Sequence, residues 1–101
     1  MPDLTSKQRA HVRGLAHTVR PLVHVGKEGV TPAALRSLRQ TFATREIVKV
    51  KVLEAAPEPP RETGTALAEG IDGCQVVQTV GRTVTLFRPD PKNPVIRLPQ
   101  A

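Results

Sequence analysis

Between Glu46 and Leu53 the chain alternates strictly, Val48, Val50 and Val52 against Lys49 and Lys51, which predicts a β-strand with one buried and one wet face. Helical spacing governs other stretches. From Thr5 to about His17, the residues Gln8, Val12, Leu15 and Ala16 share one arc of a helical wheel with Leu4, while Arg9, Arg13 and His17 stack at i, i+4 and i+8 on the opposite arc. Thr5-Ser6-Lys7-Gln8 reads as a capping box that opens this helix, stapled from outside by Leu4. After Pro21, Leu22 to Val25 forms a short apolar strand. Pro32 to Ala43 is a second helix, with Ala34, Leu35, Leu38 and Phe42 on one face and Arg36, Ser37 and Gln40 pointing away. Arg61 to Ile71 carries a thin apolar set, Ala66, Leu67 and Ile71, and its Gly64 and Gly70 each cost a helix about 1 kcal/mol relative to Ala. A short, weak third helix is expected there. Gln75 to Val80 and Thr83 to Arg88 make two strands joined at Gly81-Arg82, where Gly in the first position suits a type II′ turn.

The succession strand, helix, strand predicts a right-handed crossover, with the first two strands parallel neighbours and the second helix on the covered face. Ala55 to Pro60 is a stiff connector with three prolines. Prolines 89, 91, 94 and 99 forbid regular structure. The expected organisation is therefore one domain over residues 1–89 and an extended tail over 90–101, with Val95, Ile96 and Leu98 available to pack.

The first strand meets the second helix through Gly26-Lys27-Glu28-Gly29, with Thr31 as N-cap and Pro32 at the first helical position. Glycine at both ends of this loop lets the backbone take positive φ and lets another backbone come close. The following helix offers unpaired N–H groups and a positive dipole end. Such a loop suits phosphates. It matches neither G-x-x-x-x-G-K-[ST] nor G-x-G-x-x-G, so a nucleotide cofactor is not expected. What remains is a G-x-x-G loop of the kind that clamps a nucleic-acid backbone, with Lys27 at its tip. Alone, the pattern is more often a plain strand-to-helix turn.

Composition sharpens this. Fifteen Lys and Arg against nine Asp and Glu give a formal charge of +6 and a pI near 10.5, the footprint of a polyanion binder. The charge is uneven: the chain up to Lys27 holds Lys7, Arg9, Arg13, Arg20 and Lys27 against Asp3, whereas Glu54, Glu58, Glu62, Glu69 and Asp72 face only Arg61 further on. A basic side and an acidic side should result. The lone Cys74 cannot form an internal disulfide, which fits a reducing compartment, and no apolar run approaches a membrane span. A cytoplasmic protein is expected. Catalysis is not, because His11, His17 and His24 do not share a face and no acid pair stands on the basic side. Cys74 reads as a small buried hydrophobe. With two Phe and no Tyr or Trp, the chain lacks the exposed aromatics on which bases stack, so recognition should rest on phosphates, backbone N–H groups and shape.

The residues at this point resemble one family, the CRM domain (chloroplast RNA splicing and ribosome maturation) in its bacterial stand-alone form, the YhbY type. The resemblance is carried by Leu4-Thr5-Ser6-Lys7-Gln8-Arg9, Gly14-Leu15-Ala16-His17, Pro21-Leu22-Val23 with the Gly26-Lys27-Glu28-Gly29 loop, Ile47-Val48-Lys49-Val50-Lys51, Val80-Gly81-Arg82-Thr83 and Leu86-Phe87-Arg88-Pro89. It implies an α/β two-layer sandwich, a four-stranded mixed sheet with helices on one face in the order α-β-α-β-α-β-β, similar to the C-terminal domain of translation initiation factor three. It also implies RNA binding in association with precursors of the large ribosomal subunit. Where relatives often carry Tyr in the last strand, this chain has Phe87.

If the first helix packs antiparallel to the first strand, Lys7 and Arg9 return toward the G-x-x-G loop, beside the start of the second helix with Arg36. The expected RNA-binding set is then Gly26, Lys27, Glu28, Gly29, Lys7, Arg9, Arg13, His17, Arg36, Lys49 and Lys51. No cofactor, metal, membrane or small-molecule substrate is expected. The partners would be ribosomal RNA and, secondarily, ribosomal proteins, bound by a monomer. The competing expectation is a non-enzymatic adaptor that docks on a ribosomal protein or assembly factor through the acidic stretch from Glu54 to Asp72.

Overall fold

A computed structural model describes residues 3–100. Seven elements follow in the expected order: α1 (Ser6–Ala16), β1 (Pro21–Val25), α2 (Pro32–Phe42), β2 (Ile47–Val52), α3 (Pro60–Glu69), β3 (Gln75–Val80) and β4 (Thr83–Phe87). The capping box of α1 is present in full, Thr5 accepting from the Gln8 N–H at 3.2 Å and the Gln8 side chain accepting from the Thr5 N–H at 3.1 Å. Thr31 caps α2 by accepting from the Ala34 N–H at 3.0 Å, with Pro32 at the first helical position. At the hairpin, Gly81 has φ 56° and no non-glycine residue among those described has positive φ, the signature of a type II′ turn.

The four strands form one mixed sheet in the order β1-β2-β4-β3. β1 and β2 are parallel, as a strand-helix-strand unit requires, and β4 runs antiparallel between β2 and β3. Val23, Val25, Val48, Val50, Val52, Val84 and Leu86 line one face, against Leu38 and Phe42 of α2 and Leu67 of α3. Each fully buried aliphatic side chain there stabilises the fold by about 1.5–3 kcal/mol. α3 is a ten-residue helix whose glycines act in packing: a Cβ on Gly64 would lie 2.7 Å from Val84 Cγ1, so the helix reaches β4 only because that atom is missing.

The expected placement of all helices on one face is corrected. α1 lies on the other face, where Leu4, Val12 and Ala16 bury against Ile47, Val77 and Phe87, joined by Val19, Ile96 and Leu98. The reason is in the strands. Ile47 precedes inward Val48, and Phe87 follows inward Leu86, so both point to the second face at the end of the sheet remote from the Gly26–Gly29 loop. Residues 89–100 have no regular structure but are pinned. The Glu46 carboxylate, 6% exposed, accepts from the N–H groups of Asp90 (2.6 Å), Val95 (3.1 Å) and Ile96 (2.7 Å). Pro99 O accepts from Gln8 Nε2 at 3.1 Å, which ties the tail to α1.

Candidate nucleic-acid interface

The loop between β1 and α2 is a tight turn, closed by the Gly29 N–H donating to Gly26 O at 2.9 Å. Of the two glycines only Gly29 is left-handed, with φ 69°; Gly26 does not use the positive φ that glycine allows. Lys27 and Glu28 at the tip are exposed, and their N–H groups make no hydrogen bond with another described residue. Arg36 is exposed one helical turn beyond the start of α2. The loop therefore presents a cation, free amide donors and a helix N-terminus together, which is the chemistry that holds a phosphate.

From this loop the second face of the sheet runs uncovered toward α1. Its first transverse row is His24, Lys51, Thr83 and Val80, and its second is Pro21, Lys49, Thr85 and Gln78. Lys49 and Lys51 thus stand side by side on the wet face that alternation predicts. Neither they nor Lys27 has a hydrogen-bond or ion-pair partner among the described residues. None of the four strands contains a carboxylate. The potential over this face is accordingly positive and is not neutralised locally.

α1 closes the far end of the same face, so Lys7 and Arg9 do not return to the loop, and the antiparallel placement of α1 on β1 is corrected. The Leu4 N–H donates to Gln75 Oε1 at 2.8 Å, which sets the helix N-terminus over the start of β3. Arg9 is a structural link: its guanidinium donates to the carbonyls of Val76 and, at 3.0 Å, Val77, at the irregularity in the β3–β4 register. Lys7, Arg13 and His17 are exposed on α1, separated from the loop by the length of β2, about 17 Å. The acidic residues Glu62 and Glu69 are exposed on α3, on the opposite side of the sheet.

Two neighbours of the lysines were not anticipated as site residues. His24 had a signal, its alternation with Val23 and Val25, whereas Thr85 had none, because its place beside Lys49 depends on strand register. Arg82 belongs to the fold, since it donates to Val52 O (2.7 Å) and Leu53 O (2.8 Å) and holds the hairpin against the connector. Cys74 is half-buried, and burial pushes its thiol up to about 12 against the opposing charge of Arg88, so it is an inert packing group. Both Phe42 and Phe87 are buried. Among the described residues no three His, Cys, Asp or Glu side chains converge as metal ligands, and no helix is long and apolar enough to cross a membrane.

The chain resembles proteins over nearly its whole length. It is 35% identical over 96 residues to YqeI of Bacillus subtilis, named a probable RNA-binding protein, covering 95% of this chain and 99% of that one. An RNA-binding protein of Haemophilus influenzae is 33% identical over 100 residues, 99% of each chain. The solution structure of SAV1595 from Staphylococcus aureus superposes with a TM-score of 0.79 at 31% identity, covering 96% of this chain and 100% of that one. Residues 4–88 match the model of the CRS1 / YhbY (CRM) domain, from the capped start of α1 to the residue after β4. The chain belongs to the CRS1 / YhbY (CRM) domain family.

Proposed function

We propose that this protein binds RNA and acts in assembly of the large ribosomal subunit, gripping the backbone of structured ribosomal RNA in subunit precursors. The observation that supports it most is the run of unpartnered cations Lys27, Lys51 and Lys49 along an uncovered sheet face, beginning at a turn with free amide donors. RNA-binding relatives that match end to end favour RNA over other polyanions. Gly26 and Gly29 let the backbone approach, Lys27 and the Glu28 N–H meet phosphate at the turn, and Arg36 widens the patch beside it. Lys7, Arg13 and His17 extend the footprint past the far end. Arg9 contributes charge there while fixed to β3. The protein works as a cytoplasmic monomer without a cofactor, and the acidic face of α3 is left for contact with ribosomal proteins.

Fluorescence anisotropy against ribosomal RNA fragments tests this. With about four to six phosphates engaged, log K falls against log salt with a slope of roughly −3 to −5. Replacing Lys27 and Glu28 together by Asp keeps both glycines and the Thr31 cap, so binding should collapse while circular dichroism and melting stay near the parent's. A flat salt response, or a double-Asp protein that still binds RNA and co-sediments with large-subunit precursors, would sink the proposal and put the adaptor first.

A further inference from the structure

On the uncovered sheet face lies a shallow trough of ≈ 300 Å³ lined by Pro21, Lys49, Gln78, Val80, Thr83 and Thr85. Thr85 forms its floor. The residue is only 2% exposed, yet its hydroxyl has no hydrogen-bond partner among the described residues. The hydroxyl keeps what access the residue has, since no buried side-chain polar atom among the described residues lacks a partner, and the strand register sets Lys49 on one side of it and Gln78 on the other. Lys49, Gln78 and Thr83 are likewise without partners among the described residues. The trough thus combines a neutral floor of hydroxyl and amide groups, apolar edges at Pro21 and Val80 (63% exposed), and a cation at its rim.

A phosphate would seek the lysines, and a base would seek an aromatic face that is not there. A ribose fits the floor and one edge: its carbon edge lies on Val80, beside Gln78 on β3, and its 2′-hydroxyl both donates and accepts, as the Thr85 hydroxyl and the Gln78 amide can. The adjoining phosphates then fall on Lys49 and Lys51. We infer that this trough reads the ribose 2′-hydroxyl and makes the protein selective for RNA over DNA. The inference rests on the RNA-binding reading above and assigns to Thr85, Gln78 and Thr83 a role that a backbone clamp alone does not need.

The test compares a short RNA hairpin, the DNA hairpin of the same sequence and its 2′-O-methyl RNA counterpart, each titrated with the full chain at one salt concentration. The parent should bind the RNA about tenfold more tightly than either of the others, an amount equal to about 1.4 kcal/mol. Thr85→Val preserves shape and β-branching and should weaken RNA binding about five- to tenfold. It should leave DNA and 2′-O-methyl RNA unchanged, so that the three affinities converge. Thr85→Ser restores the hydroxyl and should restore the preference, which guards against a mere folding effect. Lys49→Gln should weaken all three alike and shallow the salt slope by about one unit. A Thr85→Val protein that keeps the parent's RNA preference overturns the ribose reading, even where the double-Asp loop variant has lost binding and the clamp stands. A parent that binds none of the hairpins overturns both readings, and poly-glutamate binding weakened by Thr85→Val would reassign the trough to a protein partner.

Discussion

A Cβ on Gly29 would stand 2.9 Å from Pro57 Cγ on a backbone already at φ 69°, whereas a Cβ on Gly26 would meet Leu53 Cδ1 at an ordinary 3.6 Å. The fold needs glycine at 29 and tolerates a methyl group at 26. Gly29→Ala should therefore lower stability by about 1–3 kcal/mol, since a left-handed alanine costs about 1–2 kcal/mol before any clash is counted. Gly26→Ala should stay within about 0.5 kcal/mol of the parent yet weaken RNA binding, because only an external backbone would sense the added methyl. Urea midpoints read beside anisotropy separate the two, and equal destabilisation by both would refute the assignment. At this scale the chain was legible where chemistry is local: Thr5, Thr31 and Gly81 declare caps and a turn by type and spacing. It was not legible at Arg9, which carries the same residue type and wheel position as Arg13 but meets the carbonyls of Val76 and Val77 some 67 and 68 residues away.

That difference becomes measurable across α1 as an element. Arg13→Gln should leave stability within about 0.5 kcal/mol, because the side chain is exposed and unpartnered, while Arg9→Gln should cost about 1 kcal/mol through the lost bonds to β3. A shared loss in thermal melts would show that α1 is held by its charge pattern and not by that link. The existence and type of each element followed from periodicity, and the boundaries shifted by only a residue or two. The layering did not, although a signal was present. Ile47-Val48 and Leu86-Phe87 are adjacent apolar pairs at strand ends, and adjacent residues in a strand point to opposite faces, so both faces must be buried there. Glu46 was equally opaque, since the three N–H groups that it binds lie 44 to 50 residues further along. The glycines of α3 carried a second meaning that propensity does not express, because propensity describes an isolated helix and Gly64 also answers to a neighbouring strand.

For the molecule as a whole, one sheet separates two electrostatic sides, with lysines over its uncovered face and the glutamates of α3 behind it. The same sheet separates two ends. At one stands the Gly26–Gly29 turn; at the other Gln8 bridges the Thr5 N–H and Pro99 O within a single side-chain amide, so the first helix and the last residues of the tail meet. Segments as far apart in sequence as Gln8 and Pro99 that meet in space permit the order of the sequence to be changed without changing the fold. A circular permutant that joins residue 100 to residue 3 through a short flexible linker and opens the backbone between exposed Thr44 and Arg45 should show the parent's circular dichroism spectrum. It should also bind RNA as the parent does. A permutant that fails to fold would mean that the α2-to-β2 connection is needed to guide assembly of the sheet. Success would make the stretch around Thr5 and Pro99 a neutral attachment point, from which a tether or a fused reporter could be hung with the whole length of the sheet between it and the Gly26–Gly29 turn.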